Sequence, residues 1–138
     1  MMRISESAEN YLESILILKN RNGFVRAVDI ANMLEFTKPS VSVAMKNLKG
    51  NGFIIVDSDN NIELTDKGME IAEKMYERHL LITKVLMSMG VEEEVASIDA
   101  CKIEHVVSNE TIDGMRRYIK KKENWFKTID KGIGLKYN

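Results

Sequence analysis

Pro39 is the only proline of the chain, and the residues around it leave few folds open. A proline fixes its own φ and keeps the preceding residue out of helical angles. The short apolar pattern Ala27, Ile30, Ala31, Leu34 must therefore close before Lys38, and a new helix is expected with Pro39 as its first residue. Val41, Ala44, Met45 and Leu48 give that helix a buried stripe, leaving Ser40, Ser42, Val43, Lys46 and Lys49 pointing elsewhere. Gly50-Asn51-Gly52 ends it. Phe53-Ile54-Ile55-Val56 is β-prone, Asp57-Ser58-Asp59-Asn60-Asn61 is turn chemistry, and Ile62-Glu63-Leu64 resumes with period two, which together predict a β-hairpin.

Upstream, Ser5 can cap a first helix with Glu6 and Glu9 in its first turn, carrying Tyr11, Leu12, Ile15, Leu16 and Leu18 on its apolar face and stopping near Gly23. Downstream, Thr65 can cap a long helix through Ile71, Met75, His79 and Ile82 to Gly90. Two further helices are expected, roughly Glu92 to Val107 and Glu110 to Trp125. The fold class is therefore mainly α with a small β-hairpin: a winged helix-turn-helix over residues 1–68, then an all-helical domain over 69–138.

At 138 residues the chain suits one domain or two small ones, and 44% hydrophobic against 30% charged residues is the balance of a folded protein. The N-terminus lacks a secretory pattern and no run is long enough to span a bilayer, so a cytoplasmic protein without a membrane partner is expected. A single cysteine excludes a disulfide framework. The net charge of −1 names no partner, but from Phe36 to Val56 there are lysines at 38, 46 and 49 and no acid.

A short helix, tight turn, second helix and two-stranded ribbon form the arrangement that places one helix in the DNA major groove. Thr37, Lys38, Pro39, Ser40, Ser42, Val43 and Lys46 are the candidate DNA-facing residues; their small hydroxyls and cations suit phosphates and base edges. Asp57 and Asp59 on the wing oppose phosphate approach, so the wing is expected to contribute little.

The second half holds both histidines and the cysteine. In the run "CKIEH", Cys101, Glu104 and His105 stand at i, i+3 and i+4, expected on one helical face, where a thiolate, a carboxylate and an imidazole can meet one divalent ion. Taken singly, each has a plainer role as core filler, solvated acid or hydrogen-bonded imidazole.

The segment "TKPSVSVAMKNLKGNGFI", the "LTDKG" that opens the long helix and above all "CKIEHVVS" resemble the diphtheria toxin repressor family of iron- and manganese-dependent transcriptional regulators. The resemblance covers residues 5 to about 122 and is closest in length to the two-domain, manganese-regulator branch. It implies a homodimeric, non-enzymatic repressor that binds a palindromic double-stranded DNA operator when loaded with metal, controlling metal homeostasis, with no small organic ligand. It also implies a ligand set: Cys101, Glu104 and His105, His79 on the long helix, and Asn10 and Glu13 on the first helix. There are departures. Asn10 replaces an aspartate of the manganese-sensing members, Thr83 and Ser97 stand where an ancillary site has other ligands, and Cys101 is the iron-branch choice.

A thiolate in place of a carboxylate disfavours hard Mn²⁺, so Fe²⁺ is favoured over Mn²⁺, with Zn²⁺ or Co²⁺ able to substitute in vitro. The competing reading is a winged-helix regulator that senses redox state through Cys101. A cysteine-dependent enzyme lacks an oxyanion hole or orienting partner in the sequence, and a structural Zn²⁺ site would make chelation unfold the domain rather than release DNA.

Overall fold

The structure, a computed structural model, describes the backbone of residues 4–133 and the side chains of residues 4–124. The order of elements is α1 (Glu6–Asn22), α2 (Ala27–Leu34), α3 (Lys38–Gly50), β1 (Ile54–Val56), β2 (Ile62–Leu64), α4 (Asp66–Ser88), α5 (Glu93–Ile103) and α6 (Asn109–Ile133). The fold is mainly helical with one antiparallel hairpin, pairing Ile54 with Leu64, Ile55 with Glu63 and Val56 with Ile62. The chain forms two compact units, the first ending at Tyr76 and the second beginning at Glu77.

In the first unit the helix ends follow local chemistry. The Ser5 hydroxyl accepts from the Ala8 amide, and Gly23 closes α1 in the left-handed region at φ 81°. Pro39 is not the first residue of α3. Thr37 is the N-cap, its hydroxyl accepting from the Ser40 amide, so the helix starts at Lys38 and Pro39 comes second. The missing N–H still falls among the first-turn donors that have no helical acceptor, which is why the shift is tolerated.

Leu12, Ile15, Val25, Ile30 and Val41 are fully buried in one cluster with Phe53, Ile54 and Ile62. Each aliphatic side chain so buried stabilises by about 1.5–3 kcal/mol. The linker between α1 and α2 fixes the wing: Val25 donates to Asn61 Oδ1 at 2.9 Å and accepts from the Ile62 amide at 2.7 Å. The turn of the wing is closed by Asp57 Oδ1, which accepts from Asp59 N at 2.8 Å and Asn61 N at 3.0 Å. The hydrogen bond from the Asn61 backbone, the largest cause, holds the Asp57 carboxyl below its usual range. Asp57 is thus a structural turn residue.

Gly68 places α4 against the wing. A Cβ there would overlap the Phe53 carbonyl oxygen and crowd Leu64 at 3.3 Å. Gly68→Ala is therefore expected to lower stability by about 1–3 kcal/mol despite the better helix propensity of alanine. A thermal melt no lower than wild type would refute this close approach.

In the second unit Ile82, Ala100 and Ile112 form the core, with Leu81, Leu86, Ile103, Val107 and Met115 packed around it. α5 is shorter than expected: it starts at Glu93 and ends at Ile103, so Glu104 and His105 lie past its last residue. α6 is longer, running from Asn109 to Ile133 instead of ending at Trp125. Ser108 satisfies its first turn by accepting from Thr111 N at 3.1 Å.

Candidate metal centre and nucleic-acid interface

α4 and the end of α5 bring the two histidines of the chain to one carboxylate. Glu104 is 0% exposed, and its oxygens face one imidazole each: Oε2 lies 3.5 Å from His79 Nδ1 and Oε1 lies 3.4 Å from His105 Nε2. Although α5 has ended, Glu104 keeps right-handed helical angles (φ −56°, ψ −26°) and donates its N–H to the Ala100 carbonyl at 2.9 Å. Cys101, half-buried, lies one turn earlier on α5. The expected single helical face is thus replaced by a helix end and the turn that follows it.

His79 is held from its other side. Its Nε2 lies 3.2 Å from Ser97 Oγ. Its Nδ1 is buried and makes no hydrogen bond, and it faces Glu104 Oε2 at 3.5 Å. Whichever ring nitrogen carries the proton, a proton or a cation must lie between Nδ1 and the carboxylate to offset their repulsion. Ligand atoms about 2.1 Å from an ion stand about 3.0–3.4 Å apart in octahedral or tetrahedral geometry, close to the observed separations. Two nitrogens and a carboxylate suit a first-row divalent ion, and the thiol of Cys101 adds a soft donor nearby in sequence.

Sequence reading missed Arg78 and the contact of Ser97 with His79. The buried Arg78 donates from Nη1 to the carbonyls of Glu104 (2.9 Å) and Val107 (3.0 Å), and from Nη2 to Asn109 Oδ1 (2.7 Å). In the first unit, Glu13 is 3% exposed and Asn10 half-buried, both on α1.

The recognition-helix candidates are all at the surface. Thr37, Lys38, Pro39, Ser40, Ser42, Val43 and Lys46 are exposed, Val43 by 60%. Beside them a concavity of about 460 Å³ is lined by Ser42, Lys46, Lys49, Arg26 and Asn60 among others. Arg26 was also missed: it caps α2 and lies 5.5 Å from the Phe24 ring centre.

Residues 3–61 match the "Iron dependent repressor, N-terminal DNA binding domain" and residues 65–124 the "Iron dependent repressor, metal binding and dimerisation domain". An uncharacterised HTH-type transcriptional regulator of Methanocaldococcus jannaschii is 32% identical over 86% of this chain and 96% of its own length. The transcriptional regulator MntR of Escherichia coli O6:H1 is 34% identical, covering 84% of this chain and 75% of its own. The solved manganese regulator SloR superimposes with a TM-score of 0.73 at 26% identity over 86% of this chain, which spans 55% of that protein. The chain belongs to the iron-dependent repressor family. Members of that family are DNA-binding, metal-dependent transcriptional regulators, not enzymes. No helix among the described residues is long and apolar enough to cross a membrane.

Proposed function

We propose that this protein is a metal-activated repressor that binds a palindromic operator as a homodimer and controls metal-ion homeostasis. The DNA-binding domain covers residues 1–68 and the dimerisation and metal-binding domain residues 69–138. The observation that carries the reading is the wholly buried Glu104 carboxylate with a histidine nitrogen facing each oxygen. Cys101 adds a thiolate, and Glu13 and Asn10 bring oxygen ligands from α1. Exposed Met87, Met89, Val95 and Ile98 in the second unit give apolar surface for a second copy.

Fe²⁺ is favoured over Mn²⁺ because of the Cys101 thiolate, with Zn²⁺ and Co²⁺ as in vitro substitutes. SloR, a manganese regulator, makes Mn²⁺ the alternative to measure. An ion that joins ligands from α1 to those of the second domain favours one spacing of the two recognition helices, as a palindromic operator requires. By reciprocity, DNA must then tighten metal binding by the same factor.

The test is anaerobic titration with Fe²⁺ and Mn²⁺, followed by binding to duplexes selected from a random pool with metal present. Saturable binding lost in His105→Ala is expected, with metal raising DNA affinity roughly 5- to 150-fold in the wild type. Glu13→Ala should lose most of that activation; full activation of the variant would refute the role of α1. Regulation lost in Cys101→Ser but kept in His105→Ala would replace metal sensing by thiol chemistry.

A further inference from the structure

Arg78 directly precedes His79 on α4, yet its side chain serves the other end of the metal centre. Its three hydrogen bonds reach the Glu104 carbonyl, the Val107 carbonyl and the Asn109 side chain. The first two bracket His105 in the sequence. They belong to the turn that follows α5, where helical carbonyls lose their intrahelical partners and the helix dipole is negative. The backbone of that turn contributes Glu104 N to Ala100 O at 2.9 Å, Val106 N to Ile103 O at 3.0 Å and Val107 N to Ile103 O at 3.3 Å. Those bonds close the turn locally without tying it to α4. The planar guanidinium does tie it, in a fixed fork that a lysine cannot copy.

We infer that Arg78 is a positioning residue for the metal centre, locking the Glu104–Val107 turn to α4 so that both oxygens of Glu104 meet His79 and His105 before an ion arrives. The inference rests on the metal-binding reading above. It goes beyond it by assigning the preorganisation of the ligands to a residue that touches no ion.

Two other accounts of Arg78 predict different results. As a cation near a cation site it would oppose metal binding, so its charge alone should weaken affinity. As a plain structural cap it would change stability and leave affinity in the folded protein untouched. Arg78→Lys separates these, because it keeps the charge and removes the fork.

The experiment is anaerobic titration of the full chain with Co²⁺, read by its visible absorption, on wild type, Arg78→Lys and Ile112→Val, with thermal melts and circular dichroism of the metal-free proteins. Ile112→Val thins the core of the same unit without touching the turn. Arg78→Lys is expected to bind Co²⁺ about 10- to 100-fold more weakly, with a changed absorption band and a wild-type dichroism spectrum, as loss of an outer-shell partner does. Ile112→Val is expected to bind as wild type does. Affinity of Arg78→Lys within about threefold of wild type, well short of the usual outer-shell loss, would overturn the proposal. So would an equal loss in Ile112→Val, which would mark a general stability effect. Failure of the wild type itself to bind Co²⁺ would instead remove the metal reading on which the proposal stands. If Arg78→Lys does not fold, Arg78→Gln decides: it keeps a donor without the guanidinium that spans the Glu104 and Val107 carbonyls, and unchanged Co²⁺ affinity there would equally overturn the role.

Discussion

Glu104→Gln should give a folded protein that no longer holds a divalent ion. The amide has the shape of the carboxylate it replaces but carries no charge, and its nitrogen cannot ligate. Only one weak oxygen then remains between His79 and His105, whose nitrogens lie 3.5 and 3.4 Å from the carboxylate oxygens in the wild type. The loss in metal affinity should exceed the roughly 10- to 100-fold typical of an outer-shell partner, since a charged ligand is removed outright. Any change in metal-free stability is a separate effect of altering a fully buried group. The two effects separate in melts with and without Mn²⁺ or Fe²⁺. Metal at about a hundred times its Kd should stabilise the wild type by about 2.7 kcal/mol and leave the variant unmoved. A variant that still gains that stability would show that the buried carboxylate is not a ligand.

The first unit was largely legible because its signals are local. Ser5, Gly23 and the Gly50-Asn51-Gly52 break act within a few residues of where they stand, and α1, α2 and the hairpin follow from them. Pro39 was read one place too early because proline and N-cap compete for the same boundary, and the Thr37 hydroxyl on the Ser40 amide decides it. In the second unit the spacing of Cys101, Glu104 and His105 assumed one continuous helical face. The helix ends at Ile103, but Glu104 retains helical angles for one more residue, so its carboxylate still comes to lie beside His79 and His105.

The contacts of Arg78 and Ser97 could not be read at all. They join residues 18 to 31 positions apart, and an arginine beside a histidine on a long helix looks like any solvated cation until the turn that packs on it is known. The end of α6 was missed for the opposite reason. No glycine or proline interrupts the chain between Trp125 and Asp130, so nothing local stops the helix there.

Replacing Lys38 and Lys46 together by alanine should weaken operator binding steeply while leaving metal binding intact, the mirror image of Glu104→Gln. Both lysines are exposed on α3, in a stretch from Phe36 to Val56 that contains no acid. Each cation that meets one phosphate contributes about 0.9 to the slope of log affinity against log salt. In a dimer the double substitution removes four such contacts, so the slope should become shallower by roughly 3 to 4. The hydroxyls of Thr37, Ser40 and Ser42 carry no charge and should not change the slope when substituted; their loss would appear instead as altered preference among selected sequences. A double lysine variant that keeps the full slope would move the phosphate contacts away from the start of α3. The remaining cations of the neighbouring concavity, Arg26 and Lys49, would then be the ones to replace, and the wing beside them would gain the role that its acidic tip argues against.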